Sequence, residues 1–282
     1  MLPLCEMWAP FVPALAFERS IFVVLSGYFD ESEDDEWFNL GAMFSTGYKW
    51  TFLTVDWKRC LDEWNDRLTK QGRQNISRFH ASDCWQRNKE FQGWTIEERD
   101  KFLEELRTII GEADGMHTIS YSVRLAQMAD IFGLDTPKKV KRECYRMLVQ
   151  YLMLQIGNDV GSRVDYQDTR IPLIHDRTTG YDVTILKAFN QLKDDPAFAH
   201  RRFFSTIVPM SWEDSIPLQP TDMVAYECRR DLRRHMNSIG AKGGMKSLLE
   251  LPGFGGSAFF FEKENLIELR TILHDRGNLE RP

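Results

Sequence analysis

Basic charge is in short supply. Lys and Arg total 36 against 42 Asp and Glu, which gives a formal net charge of −6 and a pI near 5.6. Sequence-independent adhesion to nucleic acid depends on counterion release by many Lys and Arg residues, so this balance excludes a general nucleic-acid coat. It leaves room for an enzyme with an acidic metal site and local basic patches, because a whole-chain sum conceals both. Cysteine is sparse and unpatterned. Five widely spaced residues without a CxxC pair exclude a zinc ribbon or a disulfide framework and predict reduced thiols in a cytoplasmic protein. Long apolar runs are missing too. The opening MLPLCEMWAPFVPALAF is broken by Glu6, Pro10 and Pro13 and has no basic start, so it predicts an extension packed on the domain, or a poorly ordered start, with no membrane span. A GxxxxGK[ST] phosphate loop is absent, since IGAKGGMK has neither the spacing nor a preceding strand, which argues against an ATPase. No repeat, low-complexity tract or linker divides the chain, so one domain is expected.

What is present is ordinary folded-protein material, 43% apolar and 28% charged. Apolar, β-branched residues predict a strand over Ile21 to Asp30, and WFNLGAMF from Trp37 predicts its hairpin partner, with Gly41 as a weak point or bulge. Helical spacing of Leu53, Trp57, Leu61, Trp64 and Leu68 predicts a first helix, and Thr95 with Glu98 forms a capping box for a second. A strand from His117 and a helix opened by Thr136 and Pro137 follow. Then come IPLIHD (171–176) as a buried strand, a helix near 181–192, a strand over 203–210, a helix from Pro220 to about His235, a glycine-rich loop, a strand-like AFFFE and a last helix. An antiparallel opening followed by alternating strands and helices predicts an α/β fold, a mixed sheet with helices on both faces. The expected layout is an extension over 1–20, a domain over 21–236 with a helical insertion at about 50–157, and a packed C-terminal loop, strand and helix over 237–282.

Three apolar-to-acidic transitions carry the chemistry. The first strand delivers Asp30 and Glu31, IPLIHD delivers Asp176, and LQPTD delivers Asp222 at a helix start. Parallel neighbours would place Asp30 and Asp176 at one carboxyl edge of the sheet, where open α/β folds bind ligands. Crowded carboxylates stay ionised in a dry cleft only when a cation neutralises them, and oxygen-only donors select Mg²⁺ or Mn²⁺. Alternation sends Asp30 and Glu31 to opposite faces, so both act as ligands only if the strand has already ended.

YFDES followed by LQPTD resembles the family called domain of unknown function 3800, or DUF3800, over about Phe22 to His235. The family pattern falls on Asp30 and Glu31, then on Gln219 and Asp222. This chain departs from it at Glu33, where the family has glycine, and at Pro220, where it has a small residue. The resemblance implies a ribonuclease H-like fold and a metal-dependent phosphodiesterase or nuclease acting on nucleic acid, DNA or RNA. Asp30, Asp176 and Asp222, with Glu31, would hold one or two Mg²⁺ or Mn²⁺ ions. His80 of RFHASD would be an auxiliary proton carrier, and Gln219 would orient Asp222 or a phosphate oxygen. Arg229 and Arg233, a helical step apart, would flank a phosphate. Trp37, Trp85 and Trp212 are candidates to stack on bases.

Each residue also has a plainer role open to it. Glu33 to Glu36 suit a solvated turn, Asp222 suits the dipole of a helix first turn, Gln219 and Asp83 suit caps, and Arg229 and Arg233 suit a helix C-terminus. The rival functions are a non-catalytic binding module on the same scaffold and a hydrolase of nucleotides or other small phosphate esters.

Overall fold

The computed structural model describes residues 25–163, 169–177, 180–236 and 256–275. Strand β1 (Leu25–Glu33) turns into β2 (Trp37–Thr46), and helices α1 (Gly47–Lys70), α2 (Ala81–Gln86) and α3 (Ile96–Glu112) lead to β3 (His117–Arg124). Helices α4 (Leu125–Phe132) and α5 (Pro137–Gly161) precede β4 (Ile171–Asp176). The chain continues through α6 (Asp182–Asp194), β5 (Phe204–Met210), α7 (Leu218–Met236), β6 (Gly256–Phe261) and α8 (Lys263–Asp275). The strands form one six-stranded sheet in the order β5-β4-β1-β2-β3-β6. β1, β2 and β3 are antiparallel neighbours, β4 runs parallel to β1 and β5 to β4, and β6 runs parallel to β3. The fold is therefore α/β, and β3 is a sheet strand inside the stretch expected as a helical insertion. The N-terminal extension and the glycine-rich loop lie outside the described residues. No described helix is long and apolar enough to cross a membrane.

Alternation along β2 divides the core. Phe38, Leu40, Ala42 and Phe44 face a cluster with β4, α5, α6, α4 and α8, whereas Met43 faces a second cluster with α1, α2, α3 and α7. Helix α1 follows its apolar stripe, burying Trp50, Leu53, Trp57, Cys60, Leu61, Trp64 and Leu68. The capping box at Thr95 and Glu98 opens α3 as expected, and Thr136 caps α5 with Pro137 beside it. The four cysteines among the described residues are buried and unpaired with one another.

Gly41 is neither a weak point nor a bulge: the β1–β2 register runs unbroken through Asp30↔Gly41. A Cβ there would meet the backbone N and Cα of Ala225 at 2.5 and 2.6 Å, so α7 lies directly on the sheet at this glycine. Asn39, one pleat along, donates its amide N–H to the Ala225 carbonyl at 2.9 Å and accepts the Ser120 and Ser122 hydroxyls. A floor of small and polar residues thus lets α7 approach opposite Asp30. On α7 itself, buried Glu227 binds Arg107 of α3 at 2.5 Å and accepts the Trp85 indole N–H at 2.6 Å, which ties the helix to its neighbours.

Candidate metal centre

β1 does not end at Asp30 but runs on to Glu33, so the pair lies within a strand. Phe29 pairs with His175 in the parallel register, and the next residues, Asp30 and Asp176, therefore lie side by side. Asp30 faces the α7 side with Tyr28 and Ser32, as alternation demands. Glu31 shares the face of Phe29, where it meets Tyr145 of α5. Asp222 arrives from α7. That helix opens at Leu218, so Asp222 lies beyond its first turn and no acidic residue serves the dipole there. Pro220 likewise stands inside the first turn and not at its opening position, where its missing N–H still costs nothing. Asp222 Oδ2 instead accepts the Ala81 N–H at 2.7 Å, joining α7 to the start of α2.

Electrostatics binds these carboxylates into one group. Burial pushes the Asp30 carboxyl well above its ordinary range, and the charges of Glu31, Asp222 and Asp176 push it further. Burial likewise lifts Asp222 to about 6, with Glu31 and Asp176 adding to the rise and His80 and the Ala81 N–H opposing it. Glu31 is raised by burial against hydrogen bonds from Tyr145 and Asp30. Asp176 is raised by burial against the Arg177 N–H and the charges of Arg78 and His80. Among the described residues neither Asp30 nor Asp222 forms an ion pair with Lys or Arg.

The donor set fits a hard divalent ion, being buried, anionic and all oxygen. Among the described residues, however, no three His, Cys, Asp or Glu side chains stand together as a finished ligand shell. Hydrogen bonds hold Glu31 to Tyr145 and Asp222 to Ala81. No family model matches the chain, and no curated protein matches it either. The geometry and chemistry of the site thus stand by themselves.

His80 joins the cluster. Its Nδ1 lies 2.7 Å from Asp83 Oδ2 and 3.3 Å from the Ser82 hydroxyl, and Lys89 binds the same Asp83 oxygen at 2.9 Å. Asp83 thus orients an imidazole and does not cap α2. Gln219 is buried, and its Oε1 accepts the Trp57 indole N–H at 3.1 Å and the Phe79 N–H at 2.9 Å. It positions the loop that carries His80; its carbonyl is not offered to a substrate.

Arg229 and Arg233 stand elsewhere. Both bind Asp34 in the β1–β2 turn, and Arg229 also donates to the Ser32 hydroxyl. Asp34 Oδ1 accepts the Glu36 and Trp37 N–H groups, so this acidic turn is built and braced, not merely solvated. Burial pulls the Asp34 carboxyl upward, but those N–H groups and the two arginines outweigh it and hold it below the ordinary value. Trp37 is buried under Arg124 and Phe260, and Trp85 carries Arg99 and Arg230 against its ring at 4.6 and 3.3 Å, so neither offers a stacking face. Trp212 stacks on Arg78, a residue in RFHASD whose position beside His80 was the only sequence signal for it. Two cavities, of about 310 and 130 Å³, open near Lys49 and lack any of the clustered carboxylates.

Proposed function

We propose that this protein is a ribonuclease H-like, divalent-metal-dependent phosphodiesterase acting on nucleic acid, and a distant relation of DUF3800. The fold reading is supported by the three-stranded antiparallel opening, the parallel β4 and β5, and helices on both sheet faces. The functional reading rests on one observation: Asp30, Asp176 and Asp222, drawn from three distant chain segments, act on one another in a largely buried place. Burying uncompensated carboxylates is costly, and a divalent ion removes the cost.

Asp30, Asp176 and Asp222 would hold Mg²⁺ or Mn²⁺, with Glu31 reinforcing their charge from the opposite face. A bound ion supplies Lewis acidity toward a phosphoryl oxygen and lowers the pKa of water. The chain's own residues do the rest. Ala81 fixes Asp222 through its N–H, Gln219 fixes the loop through Phe79, and Asp83 holds His80 so that its ring can carry a proton at the edge of the cluster. The buried cysteine thiols, raised by burial, stay out of the chemistry and suit a reducing, cytoplasmic setting.

Phosphodiester hydrolysis with Mg²⁺ or Mn²⁺ is the test, using wild type, Asp30→Ala and Asp222→Ala on an oligonucleotide and on a mononucleotide ester. Wild-type cleavage that both variants lose supports the reading. Equal rates in the three proteins would end it, and activity confined to the mononucleotide ester would move the substrate to the smaller class.

A further inference from the structure

Arg78 lies on the connection between α1 and α2, two residues ahead of His80. The chain is pinned here. Phe79 is buried and gives its N–H to Gln219, and Ala81 gives its N–H to Asp222. Phe79 turns into the core, and Arg78 and His80 on either side of it both act on the Asp176 carboxylate.

The Arg78 guanidinium lies 4.1 Å from the ring centroid of Trp212, two residues beyond the end of β5, whose Met210 pairs with Asp176. Among the described residues it has no hydrogen-bond acceptor and no carboxylate within ion-pair distance. Arg229, Arg107 and Arg99 each bind a carboxylate. A guanidinium held over an indole face leaves N–H groups for an incoming oxyanion, and the ring limits the rotamer freedom that binding would otherwise cost. A group of carboxylates repels phosphate, so a guanidinium beside it with no ion-pair partner answers a need that the group creates.

We propose that Arg78, braced on Trp212, receives the phosphate oxygens of the substrate beside the carboxylate cluster; this rests on the phosphodiesterase reading above. Arg78 is then a phosphate-binding residue, and Trp212 is the positioning residue behind it.

The test is equilibrium binding of a fluorescent, hydrolysis-resistant phosphorothioate single strand to the full chain with Mg²⁺, over a salt series. Losing one phosphate contact lowers the salt slope by about 0.7 for a single strand and weakens binding roughly 10-fold or more. Arg78→Gln is expected to do both. Arg78→Lys, which keeps the charge without the planar stack, restores the slope but only part of the affinity. Trp212→Ala weakens binding while leaving the slope near that of wild type. A structural role for Arg78 would lower the melting temperature without moving the slope. Equal affinity and slope in wild type and Arg78→Gln overturn the inference and leave the carboxylate site standing. No binding by wild type overturns both.

Discussion

Replacing Asp222 by Asn should make the metal-free protein more stable, the reverse of what most buried substitutions do. In the folded chain the Asp222 carboxyl titrates at about 6, against an ordinary 3.8. The sign follows from proton counting. Between those two values the folded state holds a proton that the unfolded state has lost, so stability falls as pH rises from about 4 to about 6 and then levels off. Above that window the full difference is worth roughly 3 kcal/mol. Asn carries no charge and so escapes this cost, while its carbonyl still accepts the Ala81 N–H. The expected gain for Asp222→Asn at pH 8 in chelator is therefore roughly 3 kcal/mol, or about 6–12 °C in melting temperature. At pH 4 the two proteins should differ little. Mg²⁺ or Mn²⁺ should then close the gap at about 100 times the Kd and invert the order at about 1,000 times, where the ion adds about 2.7 and about 4.1 kcal/mol to the wild type and far less to the variant. Thermal melts at pH 4 and 8, in chelator and in metal, read all four cases. A variant less stable than wild type at pH 8 in chelator would refute the reasoning, since the carboxylate would then already be compensated.

Other consequences are direct. Arg107→Met strips Glu227 of its buried partner and should cost about 3–5 kcal/mol in denaturant titrations. Gly41→Val drives a side chain into the α7 backbone and should cost roughly 1–3 kcal/mol or more while moving Asp222 away from Asp30, so metal stabilisation should fall along with the melting temperature. His80→Ala should lower turnover about 100-fold, with metal stabilisation retained. Arg229→Ala should loosen the β1–β2 turn, lowering stability by about 1–3 kcal/mol, and leave the salt slope of oligonucleotide binding unchanged.

Periodicity and composition told most where a single element decides the outcome. The stripe from Leu53 to Leu68, the capping box at Thr95 and the buried IPLIHD strand were legible because their signals are local. The convergence of Asp30 with Asp176 was legible as a conditional, needing only that β1 and β4 be parallel neighbours. Residues whose partners are distant in sequence were misread. Arg229 and Arg233 carry the same local pattern whether they flank a phosphate or brace Asp34, and their helix gives no hint of the turn some 195 residues earlier that they hold. Gln219 read as a cap, or as a group orienting Asp222 or a phosphate oxygen, because Trp57 and Phe79 reach it only in three dimensions. The short α2 and α4 run for six and eight residues, too few for a 3.6-residue period to rise above chance. Gly41 is the instructive error, since a missing side chain in a strand reads as weakness until the atom that fills its place is known.

That glycine makes the spacing between Asp30 and Asp222 a matter of sheet thickness. The helix bearing Asp222 can come no nearer to Asp30 than the bulk at position 41 permits, so one methyl group there would act as a shim, setting the gap between carboxylates that never touch it. If the proposed metal reading holds, graded replacement at this position, Gly to Ala to Val, should shift metal preference by ionic radius without altering a proposed ligand.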